Sequence, residues 1–177
     1  IVASRRALEE GRLVAPAAGE ESTLLAASGE PALEHDVRIV DPDTLDEVPA
    51  DAIGEIWIAS PSVADGYWGR AQESAATFAA RLGGSSASYL RTGDLGSLRG
   101  GHLFVTGRLK DLIILQGRNY YPHDIELAAE RSHANLRLGY SAAFCVGAER
   151  GEQLVLALEV SRHHSSEDDD ALFHAVR

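Results

Sequence analysis

The sequence predicts an α+β protein, β-rich up to about Lys110 and α+β after it. Three observations carry this prediction. Short apolar, β-branched segments recur between Val37 and Leu115, with turn residues between them. A helical period shows twice, once at Ala75, Phe78, Ala79 and Leu82 and again at Ile125, Ala128 and Ala129. Two more apolar segments, Ser141–Gly147 and Gln153–Val160, follow the second helix.

Residues 1 to 35 hold little periodicity, since Ala, Gly, Ser and Glu dominate, so mostly loop is expected, with a short helix near Ser4–Glu10. Val37–Val40 alternates like a half-buried strand, and Asp41-Pro-Asp-Thr supplies turn chemistry after it. Glu55–Ala59 reads as a second strand, entered through Gly54, with a loop between Pro61 and Gly66. The first helix should run to Leu82 and close at Gly83-Gly84. Four short strands are then expected near Tyr89–Arg91, Leu95–Leu98, His102–Thr106 and Leu112–Leu115. Arg99-Gly-Gly-His makes a hairpin turn between the second and third, so this run reads as a meander or small barrel. Pro122 suits the first turn of a helix that should end near His133. Ser141–Gly147 and Gln153–Val160 then read as core strands, with Glu149-Arg-Gly-Glu as the loop between them.

Composition narrows the function. The 177 residues are 45% hydrophobic and 24% charged, the mix of an ordinary globular protein long enough to bury a core. Sixteen basic against 27 acidic side chains give a formal net charge of −11, which argues against nucleic acid or an anionic membrane as partner. A single cysteine forms no internal disulfide, and no apolar run approaches the ~20 residues that span a bilayer. With no signal peptide evident either, the cytoplasm is the expected compartment. Methionine is absent throughout, Ile1 stands first, and Arg177 falls inside a helix-like segment. The expectation is a piece of a longer protein, with a processed mature domain as the alternative.

Four clusters could carry chemistry. In Thr92-Gly-Asp94, Gly93 permits a sharp turn, and a carboxylate at a strand end can accept both hydroxyls of a ribose. On local grounds alone an aspartate capping its own turn is the preferred reading. In Gly107-Arg-Leu-Lys-Asp111, Arg108 could fork onto phosphate or ribose, although a solvated hairpin edge explains it better. In Gly117-Arg-Asn-Tyr-Tyr-Pro-His-Asp-Ile-Glu126, polar and aromatic residues crowd the segment ahead of a helix, and functional and structural readings balance. Gly66-Tyr-Trp-Gly69 could line a cleft, but a core plug is preferred. Cys145 reads as a buried small hydrophobe. His163-His164 beside Glu167–Asp170 reads as a solvated acidic loop, so no metal site is expected. No nucleophile–His–acid order and no phosphate-cradling Gly-rich loop is present.

In order and spacing the segments say more. Gly54-Glu-Ile-Trp-Ile, Gly66-Tyr-Trp, Tyr89-Leu-Arg-Thr-Gly-Asp-Leu-Gly96, Gly107-Arg-Leu-Lys-Asp-Leu-Ile-Ile and Gly117–Glu126 together resemble the adenylate-forming superfamily. Within it the chain is most similar to the fatty acyl-AMP ligases, whose signature the phrase Gly117–Glu126 resembles. The resemblance implies that residues 1–110 are the β-barrel end of a large adenylation domain. Residues 111–177 would be an incomplete small C-terminal α+β domain. It implies that Asp94 and Arg108 contact the AMP ribose and phosphate, that Lys110 is the hinge, and that Gly117, Arg118, Asn119, Tyr120 and Tyr121 form the thioester-site loop. ATP and Mg²⁺ would be the cofactors, and a fatty acid and an acyl carrier protein the partners. The family's phosphate loop, its Tyr-Gly-x-x-Glu motif and its C-terminal lysine have no match here, so no catalytic residue is expected in this chain and the chain alone should be inactive. Three rivals are weighed: an acyl-CoA or aryl-CoA ligase, a non-catalytic adenylation-like interaction domain, and a generic α+β domain, which would have to carry five motifs in family order by chance.

Overall fold

A computed structural model describes residues 1–148, 151–162 and 169–176. Two compact units divide it, Ile1–Lys110 and Asp111–Arg177.

The first unit opens with strand β1 (Val2–Ser4), which pairs antiparallel with β2 (Ser22–Leu24). Helix α1 (Arg5–Glu9) lies between them, and the Ser4 hydroxyl caps it by accepting from the Ala7 N–H at 3.1 Å. Strands β3 (Asp36–Val40), β4 (Gly54–Ala59), β5 (Leu90–Arg99) and β6 (His102–Arg108) then form an antiparallel sheet in chain order. This is a meander, and its four strands do not close into a barrel. Helix α2 (Ala71–Phe78) sits in the β4–β5 connection.

Why the sheet forms follows from the core. Val40, Trp57 and Tyr89 are almost fully buried together, with Ala59, Ala80, Leu82 and Ala87 packed against them. The rings of Trp57 and Tyr89 lie 6.3 Å apart and tilted. The Tyr89 hydroxyl donates to Asp36 Oδ2 at 2.6 Å, so its polar end is satisfied. Burial pushes the Asp36 carboxyl up, but the bonds from Tyr89 and Arg38 outweigh it and leave its pKa below the ordinary range. Gly96 allows the close approach of β5 and β6. A β-carbon there would sit 2.5 Å from the Phe104 carbonyl oxygen and 2.9 Å from Ile56 Cδ1.

Several expectations change. The segments read as two strands, Tyr89–Arg91 and Leu95–Leu98, are one strand, β5. Helix α2 stops at Phe78 rather than Leu82, because Ala80 exchanges backbone hydrogen bonds with Tyr89. The Gly66–Gly69 aromatics are no core plug. Trp68 is wholly exposed and Tyr67 half-exposed, with Tyr67 edge-on to Phe78 at 5.0 Å.

In the second unit, a 3-10 turn (Leu109–Asp111) spans the boundary residue and leads to strands β7 (Ile113–Leu115) and β8 (Arg118–Tyr120). These pair as a tight hairpin through Gln116 and Gly117, which both have positive φ, the geometry of a type I′ turn. Helix α3 (Pro122–Ser132) starts at its proline. Strands β9 (Leu136–Ala148) and β10 (Gly151–Val160) form a long antiparallel ribbon, and α4 (Asp169–Val176) is the last described element. Helix α3 packs on β9 and grips its edge. Glu126 accepts from the Ala143 N–H at 2.9 Å, and Glu130 accepts from the Ser141 hydroxyl. That hydroxyl and the Gly139 and Tyr140 backbone donors hold the Glu130 carboxyl below its ordinary pKa, against a smaller upward push from burial. The ribbon's other face is open, with Phe144 and Val146 partly exposed, and Leu154 on the α3 side is partly exposed too, so these are not the core strands expected. Cys145 is half-buried rather than buried. The acidic stretch His163–Asp168, and Glu149 and Arg150 of the expected loop, lie outside the described residues.

Candidate functional site

The Thr92-Gly93-Asp94 segment sits at an irregularity in the sheet. Along the β4–β5 ladder Glu55 pairs with Leu95, but Trp57 already pairs with Arg91. The residues on β4 advance by two while those on β5 advance by four, so β5 bulges at this segment. Gly93 takes φ +71°, which an L side chain adopts only under strain. The bulge releases Asp94 from the ladder with β4, and on its other side Asp94 pairs with Arg108 of β6.

A buried carboxylate organises this bulge. Glu55 is only 2% exposed. Its Oε2 accepts from the Trp57 indole N–H at 3.0 Å and from Arg91 Nε and Nη2 at 2.9 and 2.7 Å. Its Oε1 accepts from the Gly93 N–H at 3.1 Å. The Arg91 guanidinium also lies 5.5 Å from the Trp57 ring centroid, held between charge and aromatic face. Thr92 completes the arrangement. Its hydroxyl donates to the Ile56 carbonyl at 2.7 Å and accepts from the Asp94 N–H at 3.0 Å.

Asp94 stands at the rim of this network. Its Oδ1 accepts from Arg108 Nε at 2.7 Å, and the two side chains are 37% and 53% exposed. An anion acceptor and a planar cation donor therefore lie side by side at a strand edge, facing solvent. A carboxylate so placed can take hydroxyl donors, and a guanidinium beside it can take an anionic oxygen. Lys110, exposed, lies two residues beyond Arg108 in the 3-10 turn and is the last residue of the first unit.

The segment Gly117–Tyr121 belongs to the second unit and is more ordered than a loop. Gly117 is in the hairpin turn, Arg118–Tyr120 is β8, and Tyr121 is the N-cap of α3. Tyr121 is buried, 6.1 Å from the His123 ring, so it offers no open aromatic surface. Arg118 is exposed, and Asn119 and Tyr120 are half-buried.

The sequence reading brought Asp94 and Arg108 into one chemistry, and the β5–β6 register places them in contact. It assigned nothing to Glu55 or Arg91, although both stand in the quoted segments. The available signal was a glutamate inside the otherwise apolar strand Gly54–Ala59, which needs a partner when buried. Among the described residues no group of three or more His, Cys, Asp or Glu could hold a metal ion. No helix of the described residues is long and apolar enough to cross a membrane.

Comparison with known proteins adds kinship. The profile of the AMP-binding enzyme family matches residues 11–68. The medium-chain-fatty-acid–[acyl-carrier-protein] ligase JamA of Moorena producens (strain JHB) is 46% identical over 162 residues, covering 89% of this chain and 27% of JamA. The long-chain-fatty-acid–AMP ligase FadD32 of Mycolicibacterium smegmatis is 37% identical over 162 residues, covering 85% of this chain and 26% of FadD32. A solved structure from work on the fatty acyl-adenylate ligases of E. coli and L. pneumophila superposes with a TM-score of 0.82 at 35% identity. That match covers 99% of this chain and 30% of the other. The chain thus spans about a quarter of the length of the curated relatives it matches.

Proposed function

We propose that this chain is part of an adenylate-forming, AMP-binding enzyme of the fatty acyl-AMP ligase branch, and that the whole protein activates a fatty acid with ATP and delivers it to a carrier protein. In the first step a carboxylate oxygen of the fatty acid attacks the α-phosphorus of ATP. The bond to pyrophosphate breaks, and acyl-AMP forms. In the second, the thiol sulfur of a carrier-protein phosphopantetheine attacks the acyl carbon and AMP leaves.

The observation that carries the reading is the juxtaposed Asp94–Arg108 pair at the bulged strand edge, in a chain with this kinship. Asp94 accepts hydrogen bonds from the two ribose hydroxyls of the nucleotide, which anchors the α-phosphate without adding negative charge beside it. Arg108 donates to ribose and phosphate, and its charge does not titrate away. Lys110, the last residue of the first unit, is the hinge about which residues 111–177 reorient between the half-reactions. On this reading residues 1–110 are the end of the large adenylation domain, and Gly117–Tyr121 is the segment carried toward the thioester site.

ATP would enter with Mg²⁺, whose charge would offset that of the phosphates. The phosphate-contacting loop is not among these 177 residues, and the reaction is assigned to the whole protein. The test is fatty-acid-dependent exchange of labelled pyrophosphate into ATP by the whole protein. Exchange that requires the fatty acid is the expected result. No exchange with any fatty acid from short to long chain contradicts the proposal.

A further inference from the structure

The adenylate-forming reading leaves one buried ionisable group in the first unit without a task. Glu55 sits at the centre of the sheet, 2% exposed, on the strand next to Asp94. A lone buried carboxylate is costly, and this one is retained with four donors arranged around it. Two of the four, from the Arg91 guanidinium, neutralise it. A third, from Trp57, ties it to the core. The fourth, from the Gly93 N–H, is spent on the residue immediately before Asp94, at the one point in the bulge where the backbone turns left-handed.

We propose that Glu55 is a positioning residue for Asp94: its carboxylate, together with the Thr92 hydroxyl, pins the bulged turn so that Asp94 presents its oxygens to the nucleotide. The geometry makes the dependence specific. A bulge has lost its ladder bonds, so its backbone needs other partners. Oε1 of Glu55 takes the Gly93 N–H, and the Thr92 Oγ1 takes the Asp94 N–H while anchored to the Ile56 carbonyl. These bonds fix the peptides on both sides of Gly93, Thr92–Gly93 and Gly93–Asp94. All of them run within the protein, so on this proposal their effect on the reaction passes through Asp94. A displacement of about 1 Å in such a group is enough to weaken catalysis about 100-fold.

The inference rests on the reading of Asp94 as the ribose acceptor. Its test uses the whole protein and measures KM for ATP and for the fatty acid separately, with AMP affinity by calorimetry. In Glu55→Gln one oxygen and the overall shape are kept, but the charge that holds both Arg91 and Gly93 is lost. KM for ATP and the dissociation constant for AMP are expected to rise at least tenfold, with KM for the fatty acid within twofold of the parent. Thr92→Val tests the same pin without disturbing the buried ion pair, so it decides the matter if Glu55→Gln does not fold. It should raise the ATP KM and the AMP dissociation constant about tenfold, and Thr92→Ser, which keeps the hydroxyl, should restore both. Unchanged ATP and AMP constants in a folded Glu55→Gln protein overturn the inference, as do unchanged constants in Thr92→Val. So does an equal loss for both substrates, which is the mark of a purely structural role. A parent protein that makes no acyl-AMP and binds no AMP overturns the functional reading itself, and this inference with it.

Discussion

Asp94→Ala in the whole protein is expected to lower kcat/KM for ATP by at least two orders of magnitude while leaving the fold intact. The size follows from the two ribose bonds that the proposal gives to Asp94. Hydrogen bonds to a charged acceptor contribute roughly 1.5–3 kcal/mol each, so losing two is worth about 3–6 kcal/mol. At about 1.4 kcal/mol per tenfold, that is a loss of at least 100-fold. The fold should survive because Asp94 is more than a third exposed and its partner Arg108 more than half. Exposed ion pairs contribute only about 0.2–1 kcal/mol. Asp94→Asn keeps the shape and one acceptor oxygen, so it should fall between the parent and the alanine variant. The measurement is pyrophosphate exchange as a function of ATP concentration, with melting temperature as the control. A variant that exchanges at the parent rate removes Asp94 from the site.

Trp57→Ala is expected to have the largest effect on stability, about 3–5 kcal/mol. Trp57 is 1% exposed and belongs to the buried cluster with Val40 and Tyr89 in the sheet core. Its removal leaves a cavity that the sheet cannot fill, and exposes the Tyr89 ring and the face of the Arg91 guanidinium that rested on it. It also withdraws one of the four donors that satisfy buried Glu55. Since a domain's whole stability is about 5–15 kcal/mol, the unit that holds the sheet should unfold at a clearly lower temperature. Trp57→Phe retains most of the apolar volume and loses the indole N–H, so it should cost less than the alanine change. Thermal unfolding of the parent and the two variants, followed by circular dichroism, checks the order. An alanine variant as stable as the phenylalanine one would show that Trp57 does not organise this core.

Much of the fold is legible in the sequence wherever a local rule decides. Alternation marks β3 and β4, the Gly100-Gly101 pair marks the β5–β6 hairpin, and Pro122 with the Ile125–Ala129 stripe marks α3. What local rules miss is set by partners far along the chain. Gly93 and Gly96 punctuate β5 and make it read as two strands. In the structure Gly93 serves a bulge and Gly96 serves the approach of Phe104, contacts that only the register creates. Helix α2 carries an apolar stripe past Phe78, but the pairing of Ala80 with Tyr89 takes those residues into extended backbone. Tyr67 and Trp68 have the glycine-flanked pattern of a plug, and nothing local says which way the rings point.

The candidate site shows the same division. Asp94 and Arg108 are visible because their segments stand in family order, 14 residues apart, but their contact is a consequence of β5–β6 pairing. Glu55 is legible as a strand residue and illegible as a partner. Its donors Arg91 and Gly93 lie 36 and 38 residues away, and only the β4–β5 bulge brings them to it. The burial of Tyr121 escapes the sequence for a similar reason, since a tyrosine ahead of a helix suits a site or a core equally well.

The central claim is that the whole protein hands an activated fatty acid to a carrier protein. Its most direct test supplies the whole protein with ATP, Mg²⁺ and a medium-chain fatty acid, and offers CoA and a phosphopantetheinylated carrier protein together. Mass spectrometry then identifies the products. Acyl-AMP with acylated carrier protein and little acyl-CoA is the predicted result. Abundant acyl-CoA with an unmodified carrier protein would contradict it and place the protein among the CoA ligases, with the adenylation step and Asp94 retained.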